Sequence, residues 1–179
     1  MIKKARPSDF IKCFEILELA MSDFTDIIFN ETSKEKKLEI FEKFFKTKNN
    51  RLSHENIMIY ENENSEICGA ICAYEGRDSD FLDMVFNQRL KELKAKNLIK
   101  KECDDDEFYI DSVAVLPEFR GRGYFKAMVN ETINKARDLG FKKVSLITQT
   151  PEIYTKFGFK FDKNDEFYGE IYQKMILEL

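Results

Sequence analysis

Apolar side chains recur every three or four positions near the start of the chain, at Phe10, Phe14, Leu17 and Met21, with Ile11 and Phe24 beside them. That spacing predicts a helix. Pro7 fixes its entry and Ser8 supplies a cap. A second stripe, Leu38, Phe41 and Phe45 with Ile40 and Phe44 alongside, follows Thr32-Ser33-Lys34-Glu35, which has the form of a capping box. Ile2 to Arg6 reads as a short strand before these helices. After them, Asn56 to Tyr60 and Ile67 to Tyr74 read as two strands joined by the polar loop Glu61 to Glu66. The second is small or apolar at every position, as a buried central strand would be, and Gly76 ends it.

A helix is expected from Asp80 to about Lys100, with Phe81, Met84, Val85 and Leu93 as its buried stripe. The acidic run 104–107 reads as a solvated loop. Phe108 to Leu116 is the clearest strand, stopped by Pro117. Arg120 to Gly123 forms a tight turn, a helix runs to Leu139, and Gly140 caps it. Val144 to Thr148 is a strand, Pro151 starts a short helix ending at Gly158, and the remainder reads as two strands joined at Asp162 to Asp165. The order β-α-α-β-β-α-β-α-β-α-β-β predicts one mixed α/β (α+β) domain over residues 1–179.

Composition narrows the function. Lys and Arg number 29 against 33 Asp and Glu, a net charge of −4. That disfavours a general nucleic-acid binder, which needs a basic face. No stretch of 18 apolar residues suggests a membrane span, and the opening residues lack the apolar core of a secretory signal. Four cysteines with no zinc spacing and one remote histidine predict reduced thiols, no metal and a cytoplasmic protein.

Glycine is scarce, seven in 179 residues, yet two fall within the turn Arg120-Gly121-Arg122-Gly123. A strand, a glycine turn and a helix start place several N–H groups and a positive helix end around one spot, a site for phosphate or pyrophosphate. From Glu118 to Lys126 there are three basic residues and one acid, which suits an anion. The turn lacks the third glycine of the dinucleotide fingerprint, because Lys126 stands there, and it is not a nucleotide P-loop. A tight turn needing glycine for backbone reasons alone is the plain alternative.

Arg120-x-x-Gly123 after Val113-Ala114-Val115 resembles the cofactor motif of the GNAT superfamily of N-acetyltransferases, Q/R-x-x-G-x-G/A. Downstream, Tyr154-x-Lys156-x-Gly158-Phe159 is similar to a second block of that family, in the same order. The resemblance spans essentially the whole chain. It implies a mostly antiparallel sheet flanked by helices, and acetyl-CoA as co-substrate. The pantetheine arm would lie along Val113, Ala114 and Val115, and the pyrophosphate on Arg120, Gly121, Arg122, Gly123, Tyr124, Phe125 and Lys126, with Gln149 near the cofactor. Arg120 either touches phosphate or positions the loop.

The resemblance further implies direct attack by an amine on the thioester. Tyr154 would be the general acid and Asp111 the general base, on one strand face with Tyr109, Val113 and Val115. Tyr109 and Asp26 would line the acceptor site, with an acidic rim of Asp23, Glu31, Asp78, Asp80 and Asp83. The acceptor would be a small-molecule or peptide amine, handled by a monomer or homodimer. Phe125 departs from the family pattern, which has Gly or Ala there. It either crowds the ligand or points into the core, and the first case would suit a non-catalytic acyl-CoA-binding module. The connection from Asp78 to Asp106 is longer than usual for the family.

Overall fold

A computed structural model describes residues 1–179. Seven strands form one sheet: β1 (Ile2–Lys4), β2 (Ile57–Glu61), β3 (Ile67–Glu75), β4 (Glu107–Val115), β5 (Lys143–Thr148), β6 (Lys160–Phe167) and β7 (Glu170–Glu178). Their spatial order is β1-β2-β3-β4-β5-β7-β6. Every neighbouring pair is antiparallel except β4 and β5. Six helices complete the fold: α1 (Phe10–Met21), α2 (Phe24–Phe29), α3 (Lys34–Lys46), α4 (Ser79–Glu92), α5 (Tyr124–Asp138) and α6 (Pro151–Thr155). No helix is long and apolar enough to cross a membrane.

Each face of the sheet buries its own core. On one face α1, α3 and α4 pack a phenylalanine-rich cluster (Phe14, Phe41, Phe45, Phe44, Phe86) against Ala70, Cys72 and Tyr74 of β3. On the other, Met128, Val129 and Ile133 of α5 meet Ile71 and Ala73 of β3 and Val113 and Val115 of β4. Gly69 lets α5 approach closely, since a Cβ there would lie 2.7 Å from Met128 Cε and 3.1 Å from the Ala114 carbonyl. All four cysteines are free and buried.

Several local expectations change. Ser8 does not cap α1; Pro7–Asp9 makes a single helical turn in which the Asp9 carboxylate accepts the Arg6 N–H. At α3 the Glu31 carboxylate, rather than a capping box, accepts the Thr32 and Ser33 N–H groups. The stripe expected on α4 faces solvent: Phe81, Met84, Val85 and Leu93 are exposed, while Leu82, Asp83, Phe86 and Leu90 are buried. The buried face is the alternative apolar stripe Leu82, Phe86 and Leu90, and Asp83 beside it turns inward to Arg51. Glu107 is likewise no loop residue. It lies buried at the start of β4, accepting from Ser145 and pairing with Lys174. The last hairpin turns at Tyr168 and Gly169, both at positive φ, and residues 162–165 belong to β6.

Candidate active site

Strand β4 organises the site. A bulge opposite Cys72 and Ala73 inserts one extra residue at Asp111, and such an insertion reverses the in–out alternation beyond it. Tyr109 and Asp111 therefore face the α1 side, whereas Val113 and Val115 enter the α5 core. The expectation that these four share one face fails for this reason. The Leu116 N–H bonds the Cys68 carbonyl of β3. By the two-residue period, Ala114 also directs its backbone groups to β3, and Val113 and Val115 direct theirs to the opposite edge. Ala114 is thus taken up by strand pairing and core packing, unlike its two neighbours.

That opposite edge is open. β4 pairs with β5 only at Glu107, Phe108 and Tyr109. β5 continues to Thr148 while paired along its whole length to β7. Beyond Tyr109 the two strands separate, and the Val113 and Val115 backbone groups line the gap. Arg120 closes back on this strand, its Nε donating to the Val115 carbonyl at 3.1 Å.

The loop after β4 ends in α5. Gly121 and Gly123 have φ of +76° and +82°, conformations that other residues reach only with strain. A Cβ at either would meet nothing within 4 Å, so backbone conformation, and not crowding within the chain, calls for glycine. Gly123 immediately precedes α5, leaving the first N–H groups of a 15-residue helix free. Arg122 and Lys126 are exposed beside them. Tyr124 stacks on Tyr60 of β2 at 4.1 Å between ring centres and anchors the helix start. The Phe125 ring packs toward Tyr154 and Phe157, at 6.0 and 6.2 Å. Phe125 is half-buried against the core on the α5 side of the sheet. Burial alone pushes the Tyr154 hydroxyl up to about 12.

On the α1 face of the gap lies a cavity of about 510 Å³ including its open mouth. Its walls come from Met21 and Phe24 at the α1–α2 junction, Ile147 of β5, and Phe167, Tyr168 and Tyr172 of the last hairpin; its floor is Arg51, Glu102, Tyr109 and Asp111. Arg51 is 1% exposed. Its Nε and Nη2 donate to Asp111 Oδ2 at 2.9 and 2.5 Å, Nη2 also reaches Glu102 Oε2 at 3.0 Å, and Nη1 lies 3.3 Å from Asp83 Oδ1. The Tyr74 hydroxyl donates to Asp111 at 2.9 Å and the Tyr109 hydroxyl to Glu102 at 2.7 Å. Three carboxylates surround one guanidinium, an excess of negative charge in a desolvated place. Burial raises the Glu102 carboxyl and pushes Asp83 up to about 7, against the pull of Arg51.

The structure thus brings Tyr109 and Asp111 together at the cavity floor, and Tyr154 and Phe125 together across the sheet. Asp26 is held by Lys37 at 2.8 Å and lines neither the cavity nor its mouth. Gln149 donates to Glu170 at 2.8 Å, at the cavity mouth. Of the expected acidic rim, Asp23 reaches that mouth, Asp80 pairs with Lys101, Glu31 holds backbone amides, and Asp83 is buried against Arg51. Arg51 and Glu102 were not singled out by the sequence, since both sit in polar stretches that read as loops. The one available signal for Glu102 was the long connection carrying it.

A family model described as acetyltransferase (GNAT) family matches residues 14–159. No curated protein matches in sequence. Among solved structures, an N-acetyltransferase from Staphylococcus aureus Mu50 is 25% identical with a TM-score of 0.82, covering 99% of this chain and 100% of that one. A Mycobacterium tuberculosis protein solved in complex with CoA and NLQ is 15% identical with a TM-score of 0.62, covering 100% of this chain and 99% of that one. A Drosophila melanogaster polyamine N-acetyltransferase that catalyses the formation of N-acetylagmatine is 11% identical, also with a TM-score of 0.62 and the same coverage.

Proposed function

The chain belongs to the GNAT family of acetyltransferases, and we propose that it transfers the acetyl group of acetyl-CoA to a primary amine by direct attack. The observation that carries this reading is the gap between β4 and β5. The glycine turn stands at one end of it and an aromatic cavity with a carboxylate floor opens on one face. Pyrophosphate is received by the amides from Arg120 to Lys126 and the positive end of α5. The pantetheine arm runs through the gap along the Val113 and Val115 main chain, and the Val113 N–H polarises the thioester carbonyl. The acceptor enters from the α1 side.

The amine arrives as an ammonium and must lose a proton before it can attack. Glu102 and Asp111 share the Arg51 guanidinium at the cavity floor, and this carboxylate pair takes the proton. The neutral nitrogen adds to the carbonyl carbon. A C–N bond forms and the C–S bond breaks. The sulfur leaves as a thiol with the Tyr154 proton, the nitrogen's second proton restores the phenol, and the proton on the carboxylate pair passes to solvent.

Release of free thiol from acetyl-CoA across a panel of primary amines tests this function. The expected result is amine-dependent release, lowered by about a hundredfold in Tyr154→Phe. If CoA raises the melting temperature while no amine is consumed, the protein is an acyl-CoA-binding module and not a transferase.

A further inference from the structure

The cavity carries negative charge at two depths. At the floor, Glu102 and Asp111 share one guanidinium with Asp83. The Glu102 side chain is 7% exposed, and its Oε2 takes both bonds it receives, from Arg51 and Tyr109. Its Oε1 accepts nothing from the chain, nor does Asp111 Oδ1, and neither oxygen is sealed from solvent. The connection between α4 and β4 delivers Glu102, and it passes directly against Gly76, where a Cβ would stand 2.0 Å from the Asp104 carbonyl.

Nearer the surface, Met21, Phe24, Phe167, Tyr168 and Tyr172 continue from the floor into an adjoining mouth. Its charged residues are Asp23 and Glu170, and no Lys or Arg lines it. Glu170 receives hydrogen bonds only from neutral groups, Gln149 and the Tyr172 hydroxyl. Between the two acidic levels the walls are apolar or aromatic, and aromatic faces attract cations.

We propose that the acceptor is an aliphatic diamine, with its reacting ammonium on Glu102 Oε1 and Asp111 Oδ1 and its distal ammonium at Asp23 and Glu170. This identification rests on the acetyl-transfer reading above. The methylene chain lies between Phe24, Phe167 and Tyr168. One end loses its proton to the carboxylate pair and is acetylated, and the other keeps its charge and holds the chain in place. A carboxylate at the distal position would meet like charge at the mouth and be disfavoured.

The test compares 1,4-diaminobutane, 1-aminobutane and 4-aminobutanoate by thiol release from acetyl-CoA. The diamine is expected to exceed the monoamine in kcat/KM by about tenfold, from two partly exposed ion pairs, and the amino acid to fall below both. In the double variant Asp23→Asn, Glu170→Gln the ratio of diamine to monoamine should fall to within about threefold. Equal turnover of diamine and monoamine by the wild type, or an unchanged ratio in the variant, overturns the inference and leaves acetyl transfer standing. Calorimetry of 1,4-diaminobutane on the CoA-loaded protein reads the site without chemistry. Binding that the double variant loses, with no turnover of any amine, supports the diamine site and refutes the transferase reading. No binding by the wild type overturns the diamine site.

Discussion

Arg51→Met removes the one cation at the cavity floor and leaves a side chain of similar length. Asp83, Glu102 and Asp111 then remain buried with no counter-charge. Breaking a buried ion pair by deleting one partner costs about 3–5 kcal/mol, and Arg51 is too deeply buried for solvent to screen that loss. With a urea dependence of about 2 kcal/mol per molar, the midpoint should fall by about 2 M. The loss should also depend on pH. A carboxyl whose pKa is higher in the folded than in the unfolded state binds its proton more tightly when native, so stability falls as pH rises through that window. Asp83, raised from 3.8 to about 7 in the wild type, already contributes such a fall across that range. Without the guanidinium, both Asp83 and Glu102 move further up. The variant's deficit is therefore largest at pH 8 and shrinks toward pH 5, where the acids protonate. Arg51→Lys keeps a charge but not the fork, and should lie between the two. Urea unfolding followed by far-UV circular dichroism at several pH values makes the measurement. A midpoint shift under about 0.5 M, or a deficit that grows on acidification, would refute the reasoning.

Gly123→Ala should cost about 1–2 kcal/mol in stability through its positive φ and raise the KM for acetyl-CoA, read by thermal denaturation and initial rates. Gly69→Ala should destabilise by about 1–3 kcal/mol by pressing on Met128 and the Ala114 carbonyl, with unfolding again the readout. The rate at low amine concentration should rise with pH as the Glu102 carboxyl, raised by burial, loses its proton. It should show no alkaline loss from Tyr154 below about pH 10, since that phenol is pushed up to about 12; a pH profile of kcat/KM checks both limbs.

The chain announced most of its scaffold because local chemistry dictates it. Pro117, the paired glycines at 121 and 123, and the strand before them specify a strand–turn–helix whatever packs around it, and the structure places that unit as expected. Gly140 and Gly158 likewise end their segments at positive φ. Failures occurred where a distant partner decides the local outcome. Asp83 is buried because Arg51, 32 positions earlier, lies within reach; α4 carries two apolar stripes, Leu82–Phe86–Leu90 and Phe81–Met84–Val85, and packing against the sheet buries the first. The extra residue at Asp111 shows only in pairing with β3, so strict alternation put Val113 and Val115 on the face of Tyr109. Arg51 and Glu102 sit in stretches as polar as any surface loop. Their burial follows from how those stretches fold over the sheet, which no pattern along the chain records.

The central claim is that an amine attacks acetyl-CoA directly across the β4–β5 gap. The most direct test is a single turnover with acetyl-CoA labelled in the acetyl carbonyl, quenched at successive times and analysed for label on the amine and on the protein. Label should appear in the amide as free CoA appears, one for one, with none bound covalently to the chain at any time. A labelled protein species that forms and decays before the amide, or bound acetyl-CoA that yields no amide with any amine, would contradict the account.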